Sequence, residues 1–128
     1  MPDTDAIRTA VDNYLARFSA ADREGWLDLW AEDATMEDPV GSPVRTGREE
    51  IGAFYDQSHG MADSIELRSL GMVNVCGNEA AFAFEIRPVL GGSRFRAVAI
   101  DAMVFDDETK IAKMRAYWDM ASMTPATD

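Results

Sequence analysis

The chain has 128 residues, 47% hydrophobic and 27% charged, which suits one globular domain and leaves no room for two. Its formal net charge of −11 excludes nucleic acid and anionic membrane surfaces as partners, and it disfavours strongly anionic substrates unless a local basic pocket receives them. No run approaches the roughly 18 apolar residues of a membrane span, and the acidic start Met-Pro-Asp-Thr-Asp is unlike a secretion signal, so a cytoplasmic protein is expected.

In chain order, helices come first and strands follow, an α+β arrangement. Ile7, Val11, Tyr14 and Phe18 recur at helical spacing, helped by Leu15, and predict a helix over residues 5–20. A short second helix is expected over 23–30, with Trp26, Leu27 and Trp30 apolar. An extended piece over 34–38 is ended by Pro39 and Gly41. Thr46 and Glu49 have the spacing of a capping box for a third helix, in which Ile51, Phe54, Tyr55 and Ser58 share a face and Gly60 is a stop.

Residues 65–75 read as one strand or a bent pair, turning at Cys76-Gly77-Asn78. Over 80–89, Phe82, Phe84 and Ile86 alternate with smaller or charged residues, the period of a half-buried strand. Gly91-Gly92 marks a hairpin, 94–105 the next strand, 106–109 a polar turn and 111–118 the last strand. Three helices on one strongly curved, mostly antiparallel sheet would close around a conical pocket. The lone Cys76 offers neither a disulfide nor metal-ligand spacing. His59, the only histidine, falls at the end of the third helix, where capping suits it better than catalysis.

Three polar residues stand among apolar neighbours. Tyr14 lies on the inward stripe of the first helix, and on spacing alone a core ring with a satisfied hydroxyl is the stronger reading. Asp101 shares its strand face with Phe95, Ala97, Ala99, Met103 and Phe105, while the opposite face is apolar too, so the strand reads as buried on both sides. A carboxyl buried there without a cation keeps its proton and can donate a hydrogen bond. A structural aspartate paired with Arg115 fits the pattern equally well. Asp38 precedes Pro39, which biases its backbone to extended conformations, and by itself it reads as a turn residue.

Longer stretches carry a resemblance. They are Ala-Glu-Asp-Ala-Thr-Met-Glu-Asp-Pro-Val-Gly (31–41), Thr-Gly-Arg-Glu-Glu-Ile-Gly-Ala-Phe-Tyr (46–55), Glu-Ala-Ala-Phe-Ala-Phe (79–84), Ala-Ile-Asp-Ala-Met-Val-Phe (99–105) and Met-Arg-Ala-Tyr-Trp (114–118). With Tyr14, Asp38 and Asp101 in that order, the chain resembles bacterial ketosteroid isomerase, of the conical nuclear-transport-factor-like superfamily, over nearly its whole length.

The resemblance implies a cofactor-free and metal-free enzyme that moves the double bond of 3-oxo-Δ5-steroids into conjugation. Asp38 matches the general base, Tyr14 and a protonated Asp101 the donors to the dienolate oxygen, and Tyr55 a supporting tyrosine bonded to the oxyanion tyrosine. Phe54, Phe82, Phe84, Met114 and Trp118 match the lining of the steroid pocket. A homodimer packed through the sheet is also implied. The sequence departs from the pattern at Trp30, where some members carry another tyrosine of the hydrogen-bond chain.

Two alternatives share the fold. One is a binding module without turnover. The other is a relative acting on another substrate, such as an epoxide hydrolase with an aspartate–arginine–aspartate set, which would need Arg96 or Arg115 to face the cavity. Arg96 falls on the strand face opposite Asp101.

Overall fold

The computed structural model describes residues 2–128. Asp3 and Asp22 start the first two helices by accepting backbone N–H groups, from Ala6 at 2.8 Å and from Gly25 at 3.0 Å. Helix α1, Thr4–Ser19, buries Ile7, Val11, Tyr14, Leu15 and Phe18 along the expected stripe. Helix α2 is only Arg23–Leu27, and Trp30 opens the first strand instead of closing this helix. Both tryptophans are fully buried, and an inward pair four residues apart is equally served by a short helix that turns into a strand.

Strand β1, Trp30–Glu37, therefore starts earlier than the sequence suggests, and Asp38 follows its last residue. After it come β2 (Arg45–Thr46), α3 (Gly47–Met61), β3 (Ser64–Cys76), β4 (Glu79–Leu90), β5 (Ser93–Phe105), β6 (Ile111–Tyr117) and a short β7 (Thr124–Pro125). The capping box does not form as expected. Thr46 makes no side-chain cap, and Glu50, one residue beyond Glu49, accepts the Thr46 N–H at 2.9 Å. Gly47, with φ of +85°, gives α3 an irregular entry that takes the Thr46 hydroxyl out of the usual capping position.

The sheet order is β2-β1-β6-β5-β4-β3, with β7 beside β5. The β1–β6 pair is parallel and the others are antiparallel, so the expected α+β class with a mostly antiparallel sheet holds. Gly91 and Gly92, at φ +57° and +83°, form the two-residue hairpin between Leu90 and Ser93. Strand β3 bends where its register shifts between Ser69 and Val73. Helix α1 packs on β3 and α3 on β1, which leaves an open cavity between the helices and the concave sheet face.

One expectation fails on the convex face. Asp101 is 1% exposed, but Val98 and Ile100 on the other side of β5 are 55% and 42% exposed. The strand is buried on one side only within this chain. No helix among the described residues is long and apolar enough to cross a membrane.

Candidate active site

The cavity has a volume of about 430 Å³, within the roughly 300–1,000 Å³ range of small-molecule sites. Tyr14 and Phe18 of α1, Asp38 after β1, Phe54 and Ser58 of α3, and Trp118 after β6 line it. Ile65, Leu67 and Ile86 give it an apolar sheet wall, and Met120 and Met123 come from the segment beyond β6.

Tyr14 is held by rings. Its centroid lies 5.8 Å from Trp26, 6.2 Å from Trp30 and 6.2 Å from Phe82, the last two edge-on. Burial pushes its hydroxyl well above the usual tyrosine value, helped by the negative charges of Asp101 and Asp38, so it keeps its proton.

Asp101 lies in the middle of β5, opposite Phe82 on β4 and Ala116 on β6. Neither of its oxygens makes a hydrogen bond of regular geometry, and no arginine reaches it. Arg115 turns to Glu37 at 3.1 Å and Arg96 to Glu85 at 3.1 Å, both on the convex face. Burial raises the Asp101 carboxyl well above the usual range, and the charge of Asp38 adds to this, while the Tyr14 hydroxyl pulls slightly back. The side chain therefore favours its protonated form.

Asp38 is partly buried, and the Trp118 indole N–H donates to its Oδ1 at 2.6 Å. Desolvation lifts its carboxyl to about 6, opposed by that hydrogen bond and by the positive charge of Arg45. At neutral pH it is ionised and faces the cavity. One carboxyl is therefore available to take a proton, while another nearby has one to share.

The structure brings Tyr14, Asp38 and Asp101 into mutual electrostatic contact. It does not build the tyrosine chain. The Tyr55 hydroxyl is buried without a partner, and its ring stacks on His59 at 3.9 Å instead of approaching Tyr14. The indole N–H of Trp30 is also unpartnered, so this position adds a ring edge and no hydrogen bond.

Of the five expected lining residues, Phe54 and Trp118 line the cavity. Phe82, Phe84 and Met114 are instead buried in the core, with Phe82 bracing Tyr14 from behind. Alternation alone cannot separate a cavity wall from the core beneath it. Phe18 and Met61 were missed, although Phe18 shares the Tyr14 stripe and Met61 follows Phe54 by seven residues. The ring nitrogens of His59 lie 3.1 Å from the Tyr55 carbonyl and 3.0 Å from the Phe18 carbonyl, tying the ends of α1 and α3 together.

The SnoaL-like domain family matches residues 11–114. A steroid Δ-isomerase of Nocardioides simplex is 35% identical over 122 residues, covering 94% of this chain and 97% of the relative. Two solved structures share the fold. One is SalBIII, described as an epoxide hydrolase/cyclase-like enzyme in pyran ring formation in the polyether salinomycin, at 23% identity and a TM-score of 0.89 over 98% of this chain and all of that one. The other is RV0760c from Mycobacterium tuberculosis, at 24% identity and a TM-score of 0.85 with the same coverage. The chain belongs to the SnoaL-like family, in the nuclear-transport-factor-like cone fold, and a steroid Δ-isomerase is among its relatives.

Proposed function

We propose that the protein is a steroid Δ-isomerase acting on 3-oxo-Δ5-steroids without a cofactor. The observation that carries this reading is a pair of carboxyls in different surroundings, Asp38 lining an apolar cavity with its carboxyl lifted to about 6, and Asp101 buried in β5 within electrostatic reach of it with its carboxyl raised well above the usual range. Asp38 takes a proton from carbon four, next to the ketone. The electron pair left behind moves through the carbonyl to make a dienolate, and Tyr14 and Asp101 donate hydrogen bonds to its oxygen. Asp38 then returns the proton to carbon six, which leaves the double bond conjugated with the ketone. Donors fixed before the reaction stabilise the developing charge without reorganising, and apolar walls strengthen their effect.

The 35% identity to a named steroid Δ-isomerase supports this chemistry. Turnover of 5-androstene-3,17-dione, followed by the rise of enone absorbance, tests it. No turnover across pH 6–9 at substrate saturation would overturn the reading.

The homodimer implied by the resemblance draws support from Val98, Ile100 and Tyr117, apolar side chains left exposed together on the convex face of β5 and β6. Sedimentation equilibrium checks it.

A further inference from the structure

Among the described residues, Arg45 is the only cationic side chain lining the cavity. It lies on β2 opposite Met36, two residues before Asp38. Its guanidinium donates to Gln57 Oε1 at 2.9 Å and to the Glu50 carbonyl at 3.4 Å, and its carbon sits 5.6 Å from the centre of the Phe54 ring. These contacts fix the group along α3, which presents Phe54, Gln57, Ser58 and Met61 to the cavity at helical spacing.

Among the described residues no carboxylate lies within 4.0 Å of Arg45, although the chain has 23 acidic residues to 12 basic ones. A guanidinium has five N–H donors, and two are used here. Arg23, Arg68, Arg87, Arg96 and Arg115 each end on a carboxylate. Arg45 instead keeps unused donors beside an apolar site.

Resting on the reading of this cavity as a steroid site, we propose that Arg45, steadied by Gln57, receives a carboxylate carried by the substrate on the part of its skeleton away from the ketone. A carboxylate matches the planar fork of a single guanidinium. A phosphate or sulfate ester is the poorer occupant, because one arginine meets only part of its oxygens while the chain's net charge and Asp38 oppose it. Arg45 is then the local basic element that lets a strongly acidic protein admit an anionic ligand.

The test compares two product-like ligands at pH 8 and low salt, 4-androstene-3,17-dione and 3-oxo-4-androstene-17β-carboxylate, by calorimetry with the full chain. The wild type is expected to bind the carboxylate at least as tightly as the dione. Arg45→Met should weaken the carboxylate roughly 10- to 100-fold, the worth of hydrogen bonds to a charged group, and change the dione less than about 3-fold. Arg45→Lys should fall between, keeping the charge and losing the fork. Retained dione binding shows that each variant is folded. Equal weakening of both ligands in Arg45→Met, or rejection of the carboxylate by the wild type, overturns the proposal. A displaced pH–rate profile in Arg45→Met with unchanged ligand preference also overturns it, because Arg45 would then serve Asp38 alone. Failure of the wild type to bind either ligand overturns the steroid reading and this proposal with it.

Discussion

Glu37 and Asp38 are adjacent in the chain and belong to opposite faces of the sheet. Glu37 points to the convex face, where Arg115 at 3.1 Å and the Gly41 backbone N–H hold its carboxyl below the usual value. Asp38 points into the cavity, where burial lifts its carboxyl to about 6. The contrast extends across the sheet. On the convex face Glu66 pairs with Arg68, and Glu85 with Arg87 and Arg96, each at about 3 Å. On the concave face Asp38 and Asp101 have no cation within ion-pair distance among the described residues. Carboxylates are paired on the convex face, even where Glu85 and Arg87 are buried, while Asp38 and Asp101 are left without a cation on the concave one. That inverts what stability alone would select, and it locates the chemistry.

The largest expected effect separates the two neighbours. Asp38→Ala should lower kcat by roughly 10²–10⁴, the usual worth of a general base, while Glu37→Gln leaves it within a few-fold. Equal losses in steady-state assays of the two variants would break the comparison. Tyr14→Phe should cost on the order of 10² in kcat, with KM for the same steroid little changed, because the donor acts on charge that develops only in the transition state.

Asp101 predicts a stability signature. Above the ordinary aspartate value, near 3.9, the unfolded chain ionises this residue while the native chain keeps it protonated. The native state then holds the extra proton, so stability falls as pH rises, by up to about 1.4 kcal/mol per pH unit until the raised native value is reached. Asp38 adds to the same slope only up to about pH 6. Urea unfolding of Asp101→Asn between pH 5 and 8 should show a flatter profile than the wild type. An unchanged slope would mean that Asp101 is ionised in the native state.

A smaller effect falls on the pH–rate profile. The base must be ionised, so kcat/KM should rise with pH through about 6. Trp118→Phe removes the hydrogen bond that favours the ionised form, and should move this midpoint upward by up to about one unit. The smallest effect belongs to the convex face. Arg68→Gln breaks an exposed ion pair and should leave turnover unchanged and Tm within roughly 2 °C by calorimetry.

Much of this was legible in the sequence, and the exceptions share causes. The helical stripe of α1, the glycine hairpin at 91–92 and the strand alternation over 80–89 were readable because each is a local periodicity or a local backbone requirement. The end of α2 was misread because Trp26 and Trp30 are inward in either geometry. Of the expected pocket lining, Phe54 and Trp118 lie at the cavity and Phe82, Phe84 and Met114 in the core. The hydrogen bond expected of Tyr55 is not made, because the rings of Phe18 and Trp26 and the imidazole of His59 pack around it.

The sequence by itself determined which side chains could carry the chemistry: a tyrosine on an inward helical stripe, a carboxyl before a proline and a carboxyl inside an apolar strand. Local order and polarity depend on neighbours in the chain, and those can be read directly. Only the tertiary structure decided their protonation, because a carboxyl's proton affinity is set by the water removed and the charges brought near from distant segments. Asp38 acquired its environment from Trp118 and Arg45, and Asp101 from Tyr14 and Asp38 itself.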